Sequence, residues 1–282
     1  MRLSKAVLLV ALALGSFLGV GVGWAQPLPP GEPPFTRWAP EPGITESVIG
    51  YSALGRPLIV HHLGQGEPVL LLGAQHGGPE RNTSVLVWQL FDYFDKNPEA
   101  IPLNLRLDIM PEANPDGLAL GSRQFASGKV DPNRNWGGPD WQEDGWDSNA
   151  VFRSGLGGPK PFSEPETQAL RDYVLQTRPL LTINYHSRGG FLFRGGTDQS
   201  SKLAETYANL SHYALPGGGS GGAPGGGGSP LGYRATGSMN VWMRSAGLGG
   251  FLIELATATD PEFGRNLPAL KATLNELSDG TS

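Results

Sequence analysis

The chain has no cysteine among its 282 residues. That absence excludes disulfides and thiolate metal sites, so any bound transition metal must be held by histidine and carboxylate. Histidine is itself scarce, at five, which makes the placement of each one informative. Charge is sparse as well: 17% of residues are charged, and the net is −5. A mildly acidic balance carries no electrostatic footprint for nucleic acid or an anionic membrane surface, and neither is expected as a partner. No internal repeat period is visible, and long apolar runs are missing except at the start of the chain.

Glycine (42) and proline (25) are abundant, and their distribution marks boundaries. "MRLSKAVLLVALALGSFLGVGVGWAQ" carries Arg2 and Lys5 before an apolar run, then small residues ahead of Gln26. Residues 1–25 therefore read as a signal peptide ending at Ala25; an uncleaved anchor is the rival reading. Both readings export the rest, to the periplasm or the extracellular space. Residues 26–44, "PLPPGEPPFTRWAPEPGI" within them, form a Pro-rich arm unsuited to helix or central strand. "GGGSGGAPGGGGS", residues 217–229, has nine glycines in thirteen positions. The short stretch after it is better used finishing the same sheet, so 217–229 reads as a surface loop of one domain spanning 45–282, expected to be a monomer.

Within that domain, strand-like and helix-like segments alternate. "EPVLLL", "LRLDIM", "PLLTINYHS" and "GGFLIEL" read as strands, and "RNTSVLVWQLFDYFDKN", "SSKLAETYANLSHYA" and "LPALKATLNEL" as helices. "NPDG" reads as a turn. Ser163, Pro165 and Glu166 predict a capping box opening another helix. The class implied is α/β: a single domain with a mostly parallel or mixed twisted sheet of about eight strands and helices on both faces. Sites in such sheets form beyond the carboxyl ends of strands.

His61 and His62 are adjacent on a strand and point to opposite faces, so they cannot share a site. His212, on a predicted helix face, reads as structural. His76 and His186 differ, each ending a strongly apolar strand and opening into a polar, Gly-rich loop. Together with Glu80 they make the His, Glu, His set that a catalytic zinc takes, with a fourth position left for water. In "GSRQFASGKVDPNRNW", Arg and Asn lie close together in one loop, a combination suited to gripping a carboxylate. Solvated surface charge is the competing reading.

"NPDG", "R…VDPNRNW", "PFSEPET", "NYHS", "YRATGS" and "FLIEL" occur here in the order found in zinc metallocarboxypeptidases of the carboxypeptidase A type. The resemblance covers roughly residues 45 to 280, and the compact length is most similar to the bacterial branch that includes murein peptide amidases. It implies one zinc per chain, held by His76, Glu80 and His186. Glu254 would be the general base, Arg123 would steady the oxyanion, and Tyr233 would close over the substrate. Asn133 and Arg134 would hold the terminal carboxylate, and Asp131 would accept the second ring N–H of His76. Met239 and Asn240 would line the side-chain pocket; neither is charged, which implies a neutral or modestly polar side chain. The implied activity is hydrolysis of the amide bond next to a C-terminal carboxylate. The alternatives are cleavage of peptidoglycan stem peptides beside diaminopimelate, or a catalytically silent peptide- or wall-binding domain.

One stretch departs from the family. Its usual His and Glu are three apart, whereas "HGGPE" puts them four apart. Either Gly77 and Gly78 let the loop bulge by one residue, with Pro79 opening the helix, or Glu80 faces solvent and the site is broken. A second stretch, "WGGPDWQEDGWDSN", sets Trp136, Trp141 and Trp146 among carboxylates. It reads as a surface loop packed by its own aromatics, with a substrate rim or a calcium site as the other possibilities.

Overall fold

A computed structural model describes residues 45–216 and 231–280. Residues 1–25, the 26–44 arm and the 217–229 glycine stretch lie outside the described residues. The described chain builds seven main-sheet strands: β1 (Glu46–Tyr51), β2 (Pro57–Gly64), β3 (Glu67–Leu72), β4 (Leu105–Met110), β7 (Leu181–Ser187), β8 (Phe191–Phe193) and β9 (Gly250–Leu255). Their spatial order is β1-β2-β4-β3-β7-β9-β8. The central four, β4-β3-β7-β9, are parallel, and β1, β2 and β8 run antiparallel to their neighbours. Two further strands, β5 (Gly145–Trp146) and β6 (Phe152–Arg153), pair only with each other. The expected sheet of about eight strands is thus one of seven plus a separate hairpin.

Both faces of the sheet are covered, and the alternation in "EPVLLL" shows how. Val69 and Leu71 enter a core with α1 (Arg81–Lys96), α4 (Asp198–Ser211) and α6 (Phe263–Asp279). Leu70 and Leu72 enter the opposite core with α3 (Pro165–Thr177) and α5 (Met239–Ser245). A strand buried on both faces reads as a continuous apolar run, because period-2 alternation sends every residue into one core or the other. Polar chemistry is thereby expelled from the strand bodies to their carboxyl ends.

Three local expectations are corrected. "NPDG" opens a helix, α2 (Pro115–Leu120): Asn114 is its cap, accepting from Gly117 N, and Pro115 sits in the first turn. The same residue types favour turns and helix starts, and only the chain beyond them decides between the two. The predicted capping box of Ser163 and Glu166 does not form. Glu164 occupies the cap position of α3, without a side-chain cap of its own. Its N–H donates instead to Asn135 Oδ1, and Glu166 accepts from Ala53 N in the β1–β2 turn. A distant amide satisfies the helix end, which frees both local side chains for other contacts. The predicted closing helix also starts earlier, at Phe263.

His61 and His62 do face opposite sides. His61 packs on Trp88 and Phe91 of α1. His62 is buried and bridges Ser47 Oγ (2.9 Å) and Asp108 Oδ1 (2.8 Å). Asp108 is fully buried, and also receives Arg106 through Nε and Nη2 and the Tyr173 hydroxyl. One carboxylate so joins β1, β2, β4 and α3. His212 ends α4 in a left-handed conformation and is exposed. Among the described residues no helix is long and apolar enough to cross a membrane.

Removing one partner of a buried charged pair leaves the other uncompensated, so Asp108→Ala is expected to cost ~3–5 kcal/mol. Urea unfolding of the variant against the parent measures this; a loss under ~1 kcal/mol would show that Arg106 finds other partners.

Candidate active site

The sheet brings the candidate residues to one edge by simple register. In the parallel pair β7–β9, His186 lies opposite Glu254, so both side chains leave the same face at the carboxyl ends of adjacent strands. β3 lies beside β7 and ends at Leu72, four residues before His76. This is where chain order reverses: β3 has β4 on one side and β7 on the other.

The four-residue step from His76 to Glu80 is taken by a tight turn followed by one turn of 3-10 helix, Gly78–Glu80. Gly77 has φ +54. A Cβ on it would lie 2.5 Å from Ser122 O, and one on Gly78 would lie 2.5 Å from Gly121 Cα. The turn therefore packs directly on the backbone at the end of α2, which only two glycines permit. Glu80 is buried, so the solvent-facing alternative is excluded. Thr83 Oγ1 clamps the turn, donating to Glu80 O and accepting from Ala74 N.

Glu80 then meets both histidines. His76 Nδ1 is 2.7 Å from Glu80 Oε1, His186 Nδ1 is 3.0 Å from Oε2, and the two Nδ1 atoms are 3.1 Å apart. Two imidazole nitrogens this close cannot both carry protons toward each other. The trio turns two imidazole nitrogens and a carboxylate toward one shared point, close enough together to hold one ion with arms of ~2.0–2.1 Å, as zinc has. The donor set suits zinc, since it is nitrogen and carboxylate with no thiolate. Among the described residues this is the one group of three or more such side chains whose ligand atoms come within 4.8 Å of one another.

Asp131 sits behind the trio. Its Oδ1 is 3.0 Å from His76 Nε2 and accepts from Asn133 N, and its Oδ2 accepts from Arg123 Nε at 2.9 Å. With Nδ1 turned to the metal point, Nε2 carries the proton and donates to Asp131, which fixes the ring. Arg123 also donates to Glu80 Oε1 at 3.0 Å; its Nη2, 3.1 Å from His76 Nε2, is then in close approach rather than a hydrogen bond.

A second group lies alongside. Arg134 donates from Nη1 to Asn133 O, and from Nε and Nη2 to Trp146 O. Its Nη2 also reaches the Tyr233 hydroxyl at 3.4 Å, and its guanidinium lies 5.7 Å from the Tyr233 ring centre. Asn133 Oδ1 accepts from Met239 N, tying this loop to the start of α5. Asp131 Oδ1 is 4.0 Å from Arg134 Nη1, which links the two groups. Asn240 is buried beside Met239, and among the described residues its Nδ2 has no hydrogen-bond partner.

Electrostatics sort these groups. Burial alone pushes Glu80 upward, but His76 and His186 hold it well below the carboxylate range. Asp131 is likewise pushed up by burial and held far lower by Arg123 and His76. Burial and Arg123 oppose protonation of His76, yet Glu80 and Asp131 outweigh them and its pKa is raised. His186 is lowered, chiefly by burial. Glu254 is pushed up to about 8, by burial first and by the Glu80 charge second. Two carboxyls within one site thus differ widely in acidity.

Sequence reasoning missed three contributors. Ser187 N donates to Glu80 Oε2, Asn82 anchors Ser187 Oγ together with the carbonyls of Thr257 and Asp260, and the Trp146 carbonyl holds Arg134. Asn82, Thr83 and Ser84, a buried polar trio opening an amphipathic helix, were a readable signal for the first two. The tryptophan loop is not packed by its own aromatics as expected: Trp136 is fully buried against Phe162 and against Trp242 of α5, and Trp141 Nε1 donates to Gly157 O, so the loop is anchored to the body of the domain. Its carboxylates accept separate backbone N–H groups, Asp140 from Gly237 N, Asp144 from Gly155 N and Asp147 from Asn149 N and Val151 N, and do not converge as a calcium site would.

The sequence profile of the zinc carboxypeptidase family matches residues 37–270. Murein peptide amidase A of Escherichia coli K12 is 36% identical over 145 residues, covering 49% of this chain and 57% of that protein. Carboxypeptidase B of Astacus astacus is 28% identical over 148 residues, 45% of this chain and 48% of that one. The matched stretch thus spans about half the length of these curated relatives. In structure, murein-tripeptide amidase from Escherichia coli O157 superposes with TM-score 0.60 and 25% identity, covering 83% of this chain and 92% of that one. Bovine thrombin-activatable fibrinolysis inhibitor shares the fold, with TM-score 0.68 at 19% identity over 83% and 90% of the two chains.

Since His76 and Glu254 both hold protons above their ordinary pKa, and a bound dication favours the deprotonated forms, metal uptake should release protons and tighten as pH rises from 6 to 8. Competitive chelator titration at several pH values measures this; an affinity independent of pH would contradict it. Purified protein should carry about one zinc per chain, and Glu80→Ala and Gly77→Ala should each lower that content sharply. Full zinc retention in Glu80→Ala would mean another group completes the site.

Proposed function

Because the chain belongs to the zinc carboxypeptidase family, we propose that it is a zinc metallopeptidase hydrolysing a peptide-type amide bond beside a free carboxylate, with Glu254 as general base. The observation that carries this reading is the pairing of His186 with Glu254 across β7 and β9. It sets a raised-pKa carboxyl next to the His76, Glu80, His186 point without making it a ligand.

His76 Nδ1, His186 Nδ1 and the Glu80 carboxylate would hold the zinc. When bound, it supplies a Lewis acid that brings the pKa of a water down to about 7. Glu254 takes the proton of the attacking water on a carboxylate oxygen and delivers it to the leaving amine, for which a pKa near neutrality is suited. Arg123, fixed by Asp131, presents a permanent positive charge where the carbonyl oxygen becomes negative. Arg134 and the Asn133 amide receive the terminal carboxylate, and Tyr233, already against Arg134, covers it. Of the five N–H groups of Arg134, three go to Asn133 O and Trp146 O and one to the Tyr233 hydroxyl, which leaves one on Nη1 for the substrate and a second on Nη2 once Tyr233 gives way to it.

Two substrate classes meet this description, general peptides and murein stem peptides. The likeness to murein peptide amidase supports the second, as does the reading of residues 1–25 as an export signal, which would place the enzyme beside the wall. Among the described residues, Asn240 Nδ2 and Asn184 Oδ1 are buried without a hydrogen-bond partner, which supports a polar substrate side chain beside Met239.

Glu254→Gln should lower kcat by ~100-fold or more while zinc content stays at the parental level. Persistent hydrolysis with zinc bound would remove Glu254 from the mechanism. Comparing a muropeptide with a blocked dipeptide, by kcat/KM on the parent enzyme, separates the substrate classes; turnover of the dipeptide alone would rule out the murein reading.

A further inference from the structure

The β5–β6 hairpin is an anomaly. It has two residues per strand, pairs with no other strand, and leaves Trp146, Val151 and Phe152 exposed at 40%, 41% and 54%. A two-stranded hairpin without a buried face is marginal in water. Yet its Trp146 carbonyl is the acceptor for two N–H groups of Arg134, each at 3.3 Å. Something other than a core must hold that carbonyl in place.

Asp147, the next residue, supplies it. Its Oδ1 accepts from Asn149 N and Val151 N, both at 2.9 Å, and its Oδ2 accepts from Arg153 Nε at 2.9 Å. Its own N–H donates to Val151 O, so backbone and side chain close the same turn. By contrast, Asp144 makes one contact, with Gly155 N, further from the turn. Although its partial burial works against charge, the Val151 and Asn149 N–H groups and Arg153 hold Asp147 below the usual carboxylate range.

We propose that Asp147 is a positioning residue for Arg134: its carboxylate locks the 145–153 hairpin, and the Trp146 carbonyl so fixed orients the guanidinium that receives the substrate's terminal carboxylate. The inference rests on the reading of Arg134 given above. The physical reason is that a guanidinium grips a carboxylate as a planar fork, so its plane matters as much as its charge. With the hairpin loose, Arg134 keeps its charge and its bond to Asn133 O, but loses the acceptor that sets the other edge of the fork.

The test uses the full-length zinc-loaded protein and whichever of the blocked dipeptide or muropeptide the parent hydrolyses. kcat, KM and the thermal midpoint are measured for the parent, Asp147→Ala, Asp147→Asn, Arg134→Ala and the Asp147→Ala/Arg134→Ala pair. Inhibition by the free-acid and C-terminal amide forms of one dipeptide reports the preference for a carboxylate. Asp147→Ala is expected to raise KM by ~10-fold, the equivalent of one hydrogen bond to a charged group, with kcat nearly unchanged and a weaker preference for the free acid. Asp147→Asn, which keeps the oxygen acceptor, should restore KM. In the Arg134→Ala background, Asp147→Ala should add nothing.

An unchanged acid-over-amide preference in Asp147→Ala, while Arg134→Ala abolishes it, overturns the proposal and leaves the reading of Arg134 intact. A full Asp147→Ala effect on top of Arg134→Ala also overturns it. If Arg134→Ala leaves the preference untouched, the reading of Arg134 itself fails. Should Asp147→Ala not fold, Asp147→Ser against Asp147→Asn gives the same contrast, and equal KM values for the two overturn the proposal.

Discussion

The buried carboxylate of Asp131 is the interaction around which the site is organised. A fully buried carboxylate without partners would cost several kcal/mol, so it persists only where positive and N–H groups surround it. Here His76, Arg123 and the Asn133 N–H are bonded to it, and Arg134 stands 4.0 Å away. Those same four residues are the ones to which the proposed mechanism assigns the metal point, the developing oxyanion and the terminal carboxylate. One buried charge therefore sets the direction of His76, Arg123 and the Asn133 backbone together, and its burial keeps water from competing with them.

A second constraint is steric. The His76–Glu80 step is one residue longer than the family spacing, and the extra residue is absorbed by a turn pressed against the end of α2. Glycine at 77 supplies the positive φ, and glycine at 78 the close approach to Gly121. The helix that "NPDG" starts is therefore part of the metal site's support, although none of its residues faces the metal point. Thr83, Ser187 N and Asn82 then tie the turn to β7 and to the loop after β9, so that ligands from different strands are held as one rigid set.

Periodicity and composition carried much of this. The absence of cysteine restricted a metal to histidine and carboxylate, and the apolar runs before His76 and His186 placed both at strand ends. His61 and His62 could be set aside from parity alone, and the structure puts them on opposite faces. Local chemistry misled where two outcomes share residue types. "NPDG" suits a turn or a helix start, and Ser163 with Glu166 suits a cap that Asn135, 28 residues before Ser163, takes over.

What the sequence by itself determined is the kind of chemistry and the layer in which it lies. An alternating α/β pattern buries its strands on both faces and leaves polar groups only at their ends. What only the tertiary structure decided is convergence: that His186 pairs with Glu254, that Glu80 turns inward despite the longer step, and that a hairpin carbonyl holds Arg134. These depend on register between strands far apart in the chain and on backbone approaches of a few ångströms. Neither leaves a local trace, because each is set by the partner's position rather than by the residue's neighbours.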